Sequence, residues 1–584
     1  MSLTLKGHAV APGIAIGRVH LAERNELEIG EYRISEADVE NEIQRYRNAV
    51  DAARDQLNEL ADKIHSDVAV PAVEIIQSHV LMMGDSKIRE STEIHIREEL
   101  CNAEWALQSQ LEQVLSEFRS MDDEYIRTRG EDVTQVVRLI QSKLSAETAN
   151  KPFENIPDRL ADTLVIAKEL TPGELALLHE RGVAGIVTEH GGPHSHTAIL
   201  ASSLGIPAVL GVREARRLLR EDSTIIVDGG LGAVFADPDS ARLQRYQEIQ
   251  REAERFRLSL IALRDRPAVS LDGVEISLQA NAERPAELIQ SVEVGSQGIG
   301  LYRTEFLYLQ GRPPDEESQL EEYLSAIQTL AGKPLTIRTL DLGADKSTGV
   351  LDFSQLRRSV NPALGLRAIR LCLSDTALFK TQLRAILRAS HAGPVRCLIP
   401  MVTSVREVQL VKELVEEAKQ DLDKRKLPYD ANIPLGAMIE VPAAALSLGD
   451  LGRYLDFVSI GTNDLLQYTL AVDRGDEQVA HLYDLQHPGV VRLIKHILKV
   501  ARTLEIPASV CGEVAGESRY TQLLLALGLK EFSMHPARLL EVKQVVRKTN
   551  ISAAKVAINQ WLDDPGGQDD PTLLEILDRS QINP

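Results

Sequence analysis

Basic side chains are in deficit in this 584-residue chain: Lys and Arg number 65 against 86 Asp and Glu, a formal charge of −21. Such a chain lacks the general basic face that non-specific contact with nucleic acid or an anionic membrane requires. Cysteine is scarce as well. Cys101, Cys372, Cys397 and Cys511 lie far apart and form no C-x-x-C pair. That excludes a disulfide framework and a zinc ribbon, and it fits a reducing, cytoplasmic compartment. No apolar run approaches the roughly 18 residues of a transmembrane helix, so no membrane insertion is expected. The opening MSLTLKGHAVAPGIAIGRVH is broken by glycine and proline and has no clear small-residue cleavage site, so it reads as strand and turn rather than as a secretory signal. What remains is ordinary for a soluble globular protein: 43% apolar and 26% charged residues. At roughly 100–200 residues per domain the length predicts three or four domains, or two large ones.

The texture changes three times along the chain. Residues 1–33 are short, glycine-punctuated and strand-like. Residues 34–146 carry apolar side chains at helical spacing with charges between them, as in ISEADVENEIQRYRNAVDAARDQLNELADKIH, and predict an all-helical insert packed as a bundle or as paired hairpins. Residues 147–239 return to short apolar runs, DTLVIAKEL, VAGIVTEH, PAVLGV, STIIVDGG and GAVFADP, separated by turns. With 1–33 they predict a mixed α/β domain. Residues 240–264 form a charged helical stretch without an apolar face of its own, either a connecting helix or an ordinary surface helix.

Residues 265–584 keep a steady beat. EISLQANA, GIGLYRTEF, LTIRTLD, RCLIPMV, LGAMIEV, FVSIGTND, ASVCGE and EFSMHP read as strands, each followed by a helical segment, and predict a (β/α)8 barrel of the TIM type. Polar residues fall late in these runs: Asn281, Arg303 and Glu305, Arg338 and Asp341, Glu440, Asn463 and Asp464, Cys511 and Glu513. In such barrels the active site lies at the carboxyl ends of the strands. Glu440 and Asp464 end the fifth and sixth strands, so both carboxylates are within reach of one ion. Two carboxylates with space for water and substrate oxygens suit Mg²⁺; the alternative is a helix cap or an arginine pair. Arg303, Arg338, Arg367 and Arg474 are expected at or just after strand ends, where converging guanidiniums clamp phosphate or carboxylate groups. Surface ion pairs are the plainer alternative. Cys511 is either a proton donor to an enolate or a packed side chain.

A second constellation lies in TEHGGPHSHTAILASSLGIPAVLG. A Gly-Gly turn precedes His196, and the apolar-periodic AILASSLG after it predicts a helix opening at or near His196. Free amides and the helix dipole there favour a negative group, and a neutral imidazole is a competent nucleophile. A phosphoryl group on His196 would meet helix amides, the Thr197 hydroxyl and His194. His190, His194 and His196 with Glu189 also permit a transition-metal reading, and a plain helix start is a third.

At this point GGPHSHTAILASSLGIPAVLG, GIGLYRTEFLY, TIRTLDLGADK, NPALGLRAIR, GAMIEVPAAA, SIGTNDLLQYTLAVDRG and CGEVAGE together resemble Enzyme I, the phosphoenolpyruvate–protein phosphotransferases of the bacterial sugar phosphotransferase system. The resemblance covers nearly the whole chain in the family's domain order. It implies phosphoenolpyruvate in the barrel, Mg²⁺ on Glu440 and Asp464, and Arg303, Arg338, Arg367, Asn463 and Arg474 on the substrate. His196 would take the phosphoryl group, Cys511 would protonate the enolate to pyruvate, and the group would pass to a histidine of the carrier HPr docked on the helical insert. It further implies a homodimer joined through the barrels and a swivelling histidine domain with the 240–264 stretch as pivot. The chain departs from the family's G-G-R-T-S-H-T at Pro193 and His194, from a following basic residue at Ser202, from N-P-F-L-G at Ala363, after Lys346, and at Met534-His535-Pro536. Two rival functions stand beside this one. A pyruvate phosphate dikinase or phosphoenolpyruvate synthase needs a nucleotide module that residues 1–150 do not suggest, and a non-catalytic paralogue is hard to reconcile with the intact acid and arginine set.

Overall fold

The computed structural model describes residues 3–22, 30–63, 70–84, 86–119, 124–144, 160–193, 195–308, 313–342, 361–474, 476, 478–563 and 573–582. The chain divides into two compact units, Met1–Glu254 and Arg255–Pro584.

In the first unit, strands β1 (Leu3–Lys6), β2 (His8–Ala11), β3 (Ile14–Leu21), β4 (Thr163–Ala167), β5 (Gly185–Thr188), β6 (Ala208–Leu210), β7 (Thr224–Asp228) and β8 (Ala233–Ala236) form one sheet in the order β1-β8-β7-β3-β4-β5-β6-β2. The centre, β3 to β6, is parallel and the flanks are antiparallel. Parallel strands covered on both faces read as unbroken apolar runs, and TLVIA and GIVT are such runs. Successive side chains serve opposite faces: Val165, Ile186 and Ala208 enter one core, Leu164, Val187 and Val209 the other.

Among the described residues between β3 and β4 run five α-helices, α1 (Val39–Lys63), α2 (Val70–Met83), α3 (Ser86–Glu99), α4 (Ala103–Arg119) and α5 (Glu124–Leu144). On α1, Ile43, Tyr46, Val50, Ala53 and Leu57 recur every three or four residues and are all buried. On α5, Val133, Val136, Val137, Ile140 and Leu144 do the same. This spacing puts each set on one stripe of its helix, and together they form a core that belongs to the helices alone. After the sheet, the charged stretch is a single helix, Ser240–Ile261, of which only Tyr246 is buried.

The second unit is built on β9 (Ser277–Ala282), β10 (Ile299–Tyr302), β11 (Leu335–Arg338), β12 (Val395–Ile399), β13 (Leu435–Ile439), β14 (Phe457–Ile460), β15 (Ala508–Val510) and β16 (Glu531–Met534). All neighbours are parallel, and β16 closes on β9. This is the expected (β/α)8 barrel. Its lumen is filled by a small separate cluster, Leu301, Leu398, Met438, Phe457 and Cys511. The Phe457 ring lies so close to Gly436 that a side chain there would collide with it. The barrel is thus a packed core with a floor on which charged groups are supported, as the layered interior of this fold requires.

Three outer helices are tied by one carboxylate. Glu316, at the start of the helix Glu316–Leu330, accepts from Arg384 Nε at 2.7 Å, Arg388 Nη1 at 2.7 Å and Arg425 Nη1 at 2.8 Å. Burial works against its charge, but the three guanidiniums outweigh that and hold it down to about 2, against 4.5 ordinarily. A carboxylate depressed on folding contributes stability that is complete above its unfolded pKa and is lost as pH falls through the folded one. Glu316→Gln should therefore destabilise this unit by about 1–2 kcal/mol at pH 7, since two half-buried guanidiniums and one exposed one lose the carboxylate they share. In urea melts the gap between wild type and variant should stay constant down to about pH 4.5 and shrink toward pH 2. A gap unchanged at pH 3 would contradict the assignment.

Candidate active site

The residues marked out in the barrel converge on its carboxyl end by different routes. Arg338 is the last residue of β11, Arg303 follows β10, Glu440 follows β13 and Cys511 follows β15. Asp464 and Asn463 sit in the first turn of the helix Thr462–Leu470, just past β14. Arg367 and Arg474 do not sit at strand ends. They come from the long segments after β11 and after the Thr462–Leu470 helix, and reach the mouth through their side chains. The segment around Lys346 lies outside the described residues.

At the centre is an alternation of charge. Arg338 Nη2 is 3.0 Å from Glu305 Oε1, and its Nη1 is 3.1 Å from Asp341 Oδ2. Arg367 grips the same Asp341 through Nη2, at 2.9 and 3.1 Å, and reaches Asp464 Oδ2 at 3.4 Å. The amide of Asp341 donates to Glu305 Oε1 at 3.0 Å. Burial disfavours the charge on both arginines, but the surrounding carboxylates, Glu305 and Asp341 for Arg338 and Asp341 and Asp464 for Arg367, outweigh it and raise both. Among the described residues Arg338 Nε is buried without a hydrogen-bond partner, while the arginine's two terminal nitrogens are engaged.

Glu440 is 2% exposed, and its Oε1 accepts from the Met401 amide at 2.6 Å. Gly461 makes room for it: a Cβ there would lie 2.6 Å from Oε2. Burial first, then the Asp341 and Asp464 charges, push the Glu440 carboxyl upward. Four carboxylates (Glu305, Asp341, Glu440 and Asp464) face two guanidiniums (Arg338 and Arg367) in this closely packed mouth. The surplus of negative charge and the hard oxygen donors of Glu440 and Asp464 fit a divalent cation such as Mg²⁺. Among the described residues no group of three or more His, Cys, Asp and Glu side chains is arranged to hold a metal on its own, so such an ion would rely on these two and on ligands from water or substrate.

A cavity of about 710 Å³ is lined by Asn281, Arg303, Gly512 and Glu513 among others, and not by Arg338, Arg367, Glu440 or Asp464. Arg303 faces Glu283 at 3.5 Å and is partly exposed. Cys511 is buried at the inner edge, with Sγ 3.7 Å from the Ile460 carbonyl. Burial, against a hydrogen bond from Ser459, pushes its thiol up to about 11, so near neutral pH it carries its proton. Tyr468 and Tyr483 also belong to this end and were not evident in the sequence. Tyr468 donates to the Ala363 carbonyl at 2.6 Å and accepts from Arg367 Nη1 at 3.5 Å, and Tyr483 donates to the Asn463 carbonyl at 3.0 Å. Tyr468 lies four residues after Asp464, one helical turn on, a spacing that places both on one face.

The histidine segment is held by a different set of bonds. The loop follows β5 and leads into the helix His196–Ser203, whose N-cap Ser195 accepts from the Ala198 amide at 3.3 Å. Leu200, Ala201 and Leu204 bury the far face of this helix in the sheet core. The expected helix start at His196 is present; the His196 side chain and residue 194 lie outside the described residues. Two expectations change here. The Thr197 hydroxyl donates to the Leu170 carbonyl at 3.0 Å, so it is engaged in holding the helix rather than free for a phosphoryl group. Glu189 is engaged by Arg216 through its amide at 3.0 Å and Nε at 3.1 Å, which leaves the transition-metal reading without its carboxylate.

Residues 259–551 match the PEP-utilising enzyme, PEP-binding domain, residues 160–232 the PEP-utilising enzyme, mobile domain, and residues 6–129 the PEP-utilising enzyme, N-terminal family. The barrel with its charged mouth and the separate histidine-bearing sheet are thus those of the PEP-utilising enzymes. A phosphoenolpyruvate-protein phosphotransferase of Cupriavidus necator is 41% identical over 570 residues, 96% of this chain and 97% of its own length. Those of Listeria innocua (36% over 566 residues, 96% and 97%) and Haemophilus influenzae (33% over 572 residues, 98% and 98%) are similar along the same span. Among solved structures, an NMR solution structure of an Enzyme I protein matches 43% of this chain and 99% of its own at 32% identity, with a TM-score of 0.37. The chain belongs to the phosphoenolpyruvate-protein phosphotransferase family.

The raised thiol makes a direct prediction. At pH 8 the thiolate fraction of a group at about 11 is roughly 100-fold below that of an ordinary cysteine, so Cys511 should react with iodoacetamide at least that much more slowly. Peptide mass spectrometry after a timed pulse reads this out. Fast labelling of Cys511 in the folded protein would contradict a neutral, buried thiol.

Proposed function

We propose that this protein transfers the phosphoryl group of phosphoenolpyruvate to its own His196 and then to a histidine of the carrier protein HPr, releasing pyruvate, as the first step of phosphotransferase-system sugar uptake. The observation that carries this reading is the charged barrel mouth: at the carboxyl end of a closed parallel barrel, Arg338 and Arg367 stand among a surplus of carboxylates that includes Glu440 and Asp464. A small, multiply negative substrate is what such a mouth binds.

Arg303, Arg338, Arg367, Asn463 and Arg474 bind the phosphate and carboxylate of the substrate. Arg338 and Arg367 are aligned in advance by Asp341, so little reorganisation is needed as charge shifts during transfer. Glu440 and Asp464 hold Mg²⁺, which when bound supplies positive charge to the substrate's oxygens. The His196 imidazole attacks phosphorus, a P–N bond forms, and the P–O bond to the enol oxygen breaks. The enolate takes a proton at carbon from the Cys511 thiol and becomes pyruvate, and solvent restores the thiol's proton. A thiol that stays protonated near neutrality suits that donor role.

The same reading assigns residues 1–33 and 147–239 to the phosphohistidine domain, 34–146 to HPr docking, 240–264 to a pivot, and 265–584 to substrate binding and to dimerisation through the barrels. The helical segment's own core supports its acting as a separate docking body.

Incubation with ³²P-labelled phosphoenolpyruvate and MgCl₂ tests the transfer. Wild type should gain acid-labile label and His196→Ala should gain none; an unlabelled wild type would overturn the reading. Glu440→Ala should lower self-phosphorylation by about 10³-fold or more, while phosphohistidine loaded from phospho-HPr should still return its group to HPr at close to the wild-type rate. Equal loss of both reactions would contradict the division between barrel and histidine domain.

A further inference from the structure

One carboxylate at the mouth has no part in the chemistry above, yet it occupies two of the groups assigned to the substrate. Glu513 Oε1 accepts from Arg474 Nη1 at 3.1 Å and from Asn463 Nδ2 at 3.1 Å. Its backbone amide donates to Asn463 Oδ1 at 2.9 Å. One residue therefore grips both ends of the Asn463 side-chain amide, the oxygen through its main chain and the nitrogen through its side chain. The Glu513 side chain is 75% exposed and Arg474 is 47% exposed. The same residue lines the cavity of about 710 Å³ together with Arg303 and Asn281.

The two halves of this contact differ in what a ligand can displace. The main-chain hydrogen bond is fixed by the turn after β15 and orients Asn463. The ion pair lies open to water, where such pairs contribute about 0–1 kcal/mol, so an arriving anion can take its place. The contrast with Asp341 is direct: that carboxylate is buried, held on both arginines and hydrogen-bonded through its own amide.

We propose that Glu513 is a displaceable internal carboxylate, a stand-in for the substrate anion that occupies Arg474 and Asn463 in the empty site and swings away when the substrate binds. It keeps the two donors aligned without a ligand and weakens substrate binding by competing with it. The proposal rests on the substrate reading given above, and it concerns positioning and affinity rather than the transfer step.

Titration calorimetry with phosphoenolpyruvate and MgCl₂ on full-length His196→Ala protein, which cannot turn over, tests it. Adding Glu513→Ala or Glu513→Gln should tighten binding by about two- to fivefold, because a competing negative charge is gone while the main-chain bond to Asn463 stays. On an Arg474→Ala background the gain should vanish, since the competitor then has no arginine to occupy. In the transfer-competent protein, Glu513→Ala should lower KM and leave kcat within about twofold. Unchanged or weaker binding in both Glu513 variants, or a gain that persists without Arg474, would overturn the proposal while leaving the substrate reading intact. If phosphoenolpyruvate binds none of these proteins while His196 of the wild type is still labelled through phospho-HPr, the substrate reading falls and the stand-in role falls with it.

Discussion

The site depends on an imbalance of charge in a closely packed place. Asp341 bridges Arg338 and Arg367, and Glu305 braces Arg338 from the other side, so the two guanidiniums are held without any ligand. Buried arginines are tolerated only when paired, and here the pairing is also alignment. Each guanidinium keeps its planar fork at a set angle because its partner is bidentate or braced from two sides. The acids nevertheless outnumber the arginines, and the cost falls on Glu440, whose carboxyl is pushed upward by burial and by Asp341 and Asp464. A site in this condition favours an arriving divalent cation, and with the cation in place it favours an anion that can share it. In the proposed function, substrate and metal would be coupled by the same excess charge.

The barrel makes that arrangement possible because its lumen is filled beneath it. Leu301, Leu398, Met438, Phe457 and Cys511 form the apolar floor, and Arg338 Nη1 lies 4.0 Å from Met438 Sδ. The charged groups therefore stand on hydrocarbon, where water is scarce and each ion pair acts at a lower effective dielectric than at the surface. Cys511 belongs to the floor and to the mouth at once. That position explains why its thiol is raised: the packing that makes it look like a core cysteine also keeps its proton on at neutral pH.

Much of this was legible in the residues. The alternation of short apolar runs and helical segments from 268 onward predicts eight strands, and the polar residues that end those runs, Arg303, Arg338, Glu440 and Cys511, fall where the barrel fold needs them. Arg367 and Arg474 are harder, because in sequence they lie 29 and 14 residues after the ends of β11 and β14, and spacing alone does not bring them to the mouth. The place of Thr197 in a first helical turn predicts a hydroxyl that donates a hydrogen bond to a phosphoryl group, but local position does not reveal that Leu170, 27 residues upstream, offers its carbonyl. Glu513 was visible as a polar residue late in a strand, and its grip on Asn463, 50 residues earlier, was not. Periodicity reports which face a side chain takes. It does not report which distant group waits there, whether a carbonyl such as that of Leu170 or a side chain such as that of Glu513.

Burial sorts the ion pairs at the mouth into two kinds of work. Pairs such as Arg338–Asp341 lie where water cannot replace either partner, so breaking them strands a charge and the geometry persists whether or not substrate is present. The Arg474–Glu513 pair lies where water replaces either partner readily, so the geometry persists only until a better anion arrives. A binding site made wholly of the first kind would be rigid and closed to its ligand, and one made wholly of the second would lose its alignment when empty. Asn463 joins the two, since its oxygen is tied to the main chain while its nitrogen is lent to a side chain. The site is thereby aligned at its buried end and yielding at its open end, which is the condition for admitting a charged substrate from water and then holding it still.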